Sequence, residues 1–156
     1  MNIKKIFFLL IFSIVFCDCA GAEVVTDYRN KINLFFDGIG NNKVNEALES
    51  LLLGVPYSES RIQAKVKFSI GIEDVIRSKG KLSGYDIIFE RKVARNIVYI
   101  YSFSYFEKSP IRFEFIFRKL ESDWILSHMD ISVDAAKDIR YAIVNRLVQM
   151  NSPVQP

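Results

Sequence analysis

Between residues 26 and 53 apolar side chains recur every three or four positions, and from Gly84 onward they recur at every second one. The chain therefore divides into a helical first part and a sheet-forming second part. After Thr26, which can cap, Tyr28, Ile32, Phe35, Phe36 and Ile39 keep helical spacing until Gly38 and Gly40 interrupt it. Asn42 can cap a shorter helix over 43–53 that buries Val44, Ala47, Leu48 and Leu51 before Gly54 and Pro56 end it. The next stretch, Arg61 to Ile72, carries two patterns. Ile62, Ala64, Val66, Phe68, Ile70 and Ile72 alternate as in a strand, yet Ile62, Val66 and Ile70 also keep a spacing of four. Ser60 with Gln63 forms a capping box, and Lys79-Gly80 is a C-terminal stop. These end signals favour a helix, with a strand as the alternative.

Past Gly84 the period is two as far as Val133. Tyr85 to Lys92 reads as a first strand, and Ile97 to Phe106 as a second with Ile97, Tyr99, Tyr101, Phe103 and Tyr105 on one face. After Pro110 a third strand, Ile111 to Lys119, sets Ile111, Phe113, Phe115 and Phe117 against Arg112, Glu114 and Arg118. Glu121-Ser122-Asp123 makes a turn into a fourth strand, Trp124 to Val133. Short connections make these neighbours antiparallel. From Asp134, a good N-cap, a last helix extends to about Met150, with one stripe of Ile139, Ala142, Ile143 and Leu147 beside another of Tyr141, Val144 and Val148. The expected fold is α+β: N-terminal helices packed on a curved four-stranded antiparallel sheet, followed by a C-terminal helix.

The first residues belong to neither pattern. Lys4 and Lys5, the apolar run Ile6 to Phe16 and the small triplet Ala20-Gly21-Ala22 have the layout of a secretory signal cut between Ala22 and Glu23. The run is shorter than the roughly 20 residues a spanning helix needs, and Asp18 follows it. Lipidation of Cys17 or Cys19 would want a small preceding residue, and Phe16 and Asp18 stand there. The expectation is a signal over 1–22, one domain over 23–150, a tail over 151–156, and a periplasmic or secreted protein with no stable membrane anchor after cleavage. Both cysteines would leave with the signal, so no disulfide is expected.

Charge narrows the partners. Of 21 basic and 18 acidic residues, setting aside Lys4, Lys5 and Asp18 leaves 19 against 17, with the two signs interspersed. Nucleic-acid binding would want a concentrated basic face. A single His and no mature Cys leave no zinc-type ligand set, and no cofactor motif is present. Alternation places Trp124, Leu126, His128, Asp130 and Ser132 on one face of the fourth strand, where Asp130 could orient His128 as a general base. The tyrosine stripe suits an amphipathic ligand as well as ordinary sheet packing. Arg112, Glu114 and Arg118 read as a solvated outer face, or, if that face lines a pocket mouth, Arg112 as an anion clamp.

Helices followed by a long antiparallel meander, the Gly84-Tyr85 entry to the sheet, the Pro110 opening of the third strand and the fourth strand Trp124-Ile125-Leu126-Ser127-His128-Met129-Asp130-Ile131-Ser132 resemble small exported members of the nuclear transport factor 2-like superfamily. Similar domains often carry Trp-x-Ile-x-His-x-His-x-Ser in that strand; here Asp130 replaces the second His. The resemblance implies a cone in which a curved sheet wraps around helices, and in its isomerase and cyclase members a His or Asp inside that cone.

Three functions follow as expectations. The first is an exported non-enzymatic binding domain whose aromatic sheet face, through Tyr99, Tyr101, Tyr105, Trp124 and His128, takes a small apolar ligand or a partner peptide. The second is a structural or assembly subunit of a cell-envelope complex. The third is an isomerase- or cyclase-type enzyme using His128 and Asp130. A homodimer through the sheet is a further expected partner arrangement.

Overall fold

The computed structural model describes residues 27–134 and 137–144. The expected signal over 1–22 with its cut between Ala22 and Glu23, the expected tail 151–156, and Leu147 and Val148, expected in the last helix, lie outside the described residues. Four helices and one sheet follow in the order α1 (Tyr28–Gly40), α2 (Val44–Leu51), α3 (Glu59–Lys79), β1 (Leu82–Ala94), β2 (Ile97–Phe106), β3 (Pro110–Leu120), β4 (Asp123–Ser132) and α4 (137–144). The architecture is α+β. The sheet is an antiparallel meander in the order β1-β2-β3-β4, with α1 to α3 on one face and α4 on the other.

Each helix ends for a local reason. The Asp27 side chain accepts from the Arg29 backbone N–H and caps α1. α1 runs through Gly38 and stops at Gly40, one of the two expected interruptions, with Asn41 as its C-cap and Asn42 beyond it in the left-handed region at φ 58°. Gly38 serves a different purpose: a Cβ there would stand 2.7 Å from Ala47 Cβ, so its absence lets α1 and α2 touch. α2 buries the expected Val44, Ala47, Leu48 and Leu51, but Asn42 does not cap it; Lys43 holds that position without a side-chain bond.

Arg61 to Ile72 is helical, inside α3. Ser58, not Ser60, provides the cap by accepting from the Arg61 N–H at 3.2 Å, and Gln63 donates instead to Glu59. Gly80 ends the helix at φ 86°. The buried face is Ile72 and Val75, with Phe68 and Ile76 beside them. The Ile62, Val66 and Ile70 stripe points outward, at 42%, 53% and 57% exposure. α3 has two apolar faces, and only the one toward the sheet finds partners.

In the sheet, Ile111, Phe113, Phe115 and Phe117 are all fully buried against α1 and α2, with Phe35 and Phe36 meeting Phe113 and Phe115 mostly edge to face. Val98, Ile100 and Phe106 share that face. The buried hydroxyls of Ser102 and Ser104 donate to the carbonyls of Phe113 and Ile111 across the ladder, which satisfies them. Lys31 also lies on the buried side of α1, 1% exposed, and its ammonium donates to the Leu53 carbonyl at the end of α2. Burial lowers its pKa, against the opposing field of Asp123.

Candidate functional site

Tyr99, Tyr101, Phe103 and Tyr105 face away from the helical layer and form the floor under α4. Asp134 accepts from the Lys137 N–H and so starts α4 where the sequence placed its cap. The helix crosses the strands on its narrowest side, Ala142, which is 6% exposed and belongs to the same cluster as Tyr101. Tyr101 is fully buried; its hydroxyl donates to the Asp138 carbonyl at 2.8 Å and its ring stacks on Phe89 at 5.1 Å. Burial, then the Asp138 carboxylate, pushes the Tyr101 hydroxyl up to about 12. Tyr99 is raised as well, by burial and then by Glu114. Neither phenol is set up to lose its proton near neutral pH.

Arg112 and Glu114 are not a solvated outer face. Their side chains are 14% and 18% exposed because α4 covers them. The guanidinium pairs with Glu114, with Asp130 and, at 3.2 Å, with Asp138 of α4. It also lies 6.0 Å from the Tyr101 ring centre. Burial would lower the Arg112 pKa, but the carboxylates of Glu114, Asp138 and Asp130 outweigh it and raise it. Surrounded by three carboxylates, Arg112 does not present a free clamp for an anion. Its function in the fold is to fasten α4 to β3.

Two grooves flank α4, because the helix carries apolar residues on both sides of Ala142. On one flank Ile139 and Ile143 face Ile88, Phe103, Tyr105 and Pro110 around a cavity of about 290 Å³, and none of its described lining residues is charged. On the other flank Tyr141 and Val144 border a space of about 480 Å³ with Arg112, Glu114, Lys137, Asp138 and Arg140. Tyr105 is 40% exposed at the mouth of the apolar groove, and its hydroxyl donates to Asp86 Oδ2 at 2.7 Å.

The other candidate residues lie elsewhere. Alternation along β4 is broken: Phe117 pairs with Leu126 and Ile116 pairs with His128, so Ser127 is an extra residue in a bulge. Trp124 and Leu126 consequently share the helix-layer side with Met129 and Ile131, not with His128 and Asp130. Trp124 packs edge-on against Tyr28, ring centres 5.0 Å apart. His128 is exposed on an edge strand, at the rim of a groove shared with Ser58, Arg61 and Phe68. Asp130 turns to Arg112. The structure therefore brings together Tyr99, Tyr101 and Tyr105, sends Trp124 to the opposite face, and leaves His128 on the tyrosine side of the sheet but on the edge strand, two strands from Tyr99. Ile88, Ile139 and Ile143 complete the apolar groove. Their signal in the sequence was the unusually broad apolar surface of the last helix.

Among the described residues no group of three or more His, Cys, Asp or Glu is placed to hold a metal ion, and no helix is long and apolar enough to cross a membrane. No protein-family model, curated protein or solved structure matches the chain.

Proposed function

We propose that the chain is an exported, non-enzymatic binding domain that takes an apolar group in the groove between α4 and the tyrosine face of the sheet. The carrying observation is the cavity of about 290 Å³ between Ile139 and Ile143 on one side and Phe103 and Tyr105 on the other. At the small end of ligand pockets, it fits a short aromatic or alkyl group, free or as one anchor side chain of a partner peptide. The rigid floor supports this reading: Tyr101 and Phe103 are held in place by packing and by α4, so little ordering accompanies binding. An acid–base reaction at His128 and Asp130 would need the two side chains paired in a closed pocket. Asp130 is engaged by Arg112, and His128 stands exposed.

The experiment is a fluorescence titration with N-phenyl-1-naphthylamine, a small apolar probe. Saturable enhancement is expected, lost in Ile143→Asp and retained in Ile70→Asp, both at exposed positions. No saturable binding, or binding indifferent to Ile143→Asp, would refute the proposal.

A further inference from the structure

We infer that the exposed face of α3 is a self-association surface, on which a second copy of this chain packs about a two-fold axis at Val66. Ile62, Val66 and Ile70 form an unbroken ridge at a spacing of four, and Tyr57, 82% exposed, stands beside it. The ridge borders a groove of about 550 Å³ whose polar rim includes Asn45, Glu49, Arg61 and Lys65. Arg61 and Lys65 are both bound to Glu49, so the rim's three charged side chains keep a net charge of only +1.

Three features argue for a second copy. The ridge reads the same in both directions, Ile, Val, Ile, so a two-fold axis at Val66 sets Ile62 of each copy against Ile70 of the other. The same axis brings Gln63 opposite the second copy's Ser69, two side chains able to share a hydrogen bond. Ridges at a spacing of four interdigitate at a crossing angle of about −50°. That angle splays the helix ends, which moves Glu59 away from the second copy's Glu73, and of the like-charged Lys65 and Lys67 that the axis also pairs, Lys65 is bound to Glu49 of its own copy.

The area is also sufficient. The four apolar side chains expose roughly 450 Å², within the range of the largest functional patches on monomers. A standard interface takes about 800 Å² from each partner, of which about 57% is apolar, so this patch supplies the apolar share. α1 to α3 lie on one face of the sheet and α4 on the other, and the ridge on α3 points away from the sheet.

The test is sedimentation equilibrium of the whole chain over a wide concentration range, together with cysteine cross-linking in a background where Cys17 and Cys19 are serine. Wild type should be dimeric and Val66→Glu monomeric with unchanged circular dichroism. Val66→Cys, at the axis, should form a covalent dimer on mild oxidation; Val93→Cys, 62% exposed on β1, should not. A wild type that is monomeric at every concentration, a dimer that survives Val66→Glu, or cross-linking through position 93 and not 66 would overturn the inference. None of these outcomes depends on the groove beside α4.

Discussion

Lys31→Met tests whether burial or hydrogen bonding governs the one lysine that, among the described residues, is enclosed in the helical layer. Lys31 is 1% exposed as a residue; the substitution keeps its unbranched stem and removes the ammonium bonded to the Leu53 carbonyl. Two effects oppose each other. Losing a charge-assisted bond costs about 1.5–3 kcal/mol, and losing a cation at the end of α2 about 0.3–1 kcal/mol more. Taking an ammonium out of water costs several kcal/mol per ion, and that cost disappears in methionine. The lowered pKa of Lys31 means that desolvation outweighs its favourable contacts, so the balance favours methionine. The expected gain is about 1–2 kcal/mol at neutral pH, a rise in Tm of roughly 3–8 °C.

The pH dependence gives the sharper reading. With the folded value below 10.5, the unfolded chain holds the extra proton between the folded value and 10.5. Stability contributed by Lys31 therefore rises with pH across that window, and the penalty is fully present below it. The raised tyrosines, Tyr28, Tyr85, Tyr99, Tyr101 and Tyr105, act in the opposite sense, losing their contribution as pH climbs above 10.0. Subtracting the Lys31→Met curve from the wild-type curve cancels the tyrosines. Urea unfolding followed by Trp124 fluorescence from neutral to about pH 10 gives both curves. The advantage of methionine should shrink steadily with pH. A variant less stable than wild type by more than about 1 kcal/mol, or a difference flat in pH, would refute the reasoning.

Three further outcomes are expected. Gly38→Ala, whose Cβ would meet Ala47 at 2.7 Å, should destabilise by about 1–3 kcal/mol, whereas Gly71→Ala in α3, with nothing within 4 Å, should stabilise by about 0.5–1 kcal/mol; thermal melts compare them. Arg112→Met leaves Glu114, Asp130 and Asp138 facing one another without their cation and should cost about 3–5 kcal/mol, with amide-exchange protection lost in α4 and kept in α1. Deleting Ser127 should leave the chain folded within about 1 kcal/mol of wild type by urea unfolding, because it removes the extra residue and restores plain alternation from Leu126 to Ile131.

The Ser127 bulge shows where a local pattern can be overlooked. Trp124 and Leu126 are apolar at even positions, Met129 and Ile131 at odd ones, and a change of phase within a strand requires an extra residue. Reading the strand in a single phase placed His128 and Asp130 with Trp124. The change of phase was visible in the sequence; its consequence, Asp130 turned to Arg112, depends on β3 lying alongside.

Periodicity by itself determined the element types outside Arg61 to Ile72, where the end signals were needed as well, together with the meander, the phenylalanine face of β3 and the tyrosine face of β2, because alternation along a strand is dictated by the pleat and needs no neighbour. It could not decide which of two apolar faces of α3 would be buried, since Ile62, Val66 and Ile70 repeat as regularly as Phe68, Ile72, Val75 and Ile76. Nor could it turn Arg112, Glu114 and Asp138 from surface charges into the fastening of α4. Those outcomes belong to the tertiary structure. A side chain's environment depends on what packs against its element, and residues distant in the chain, such as Arg112 and Asp138, meet only when the helix has crossed the sheet.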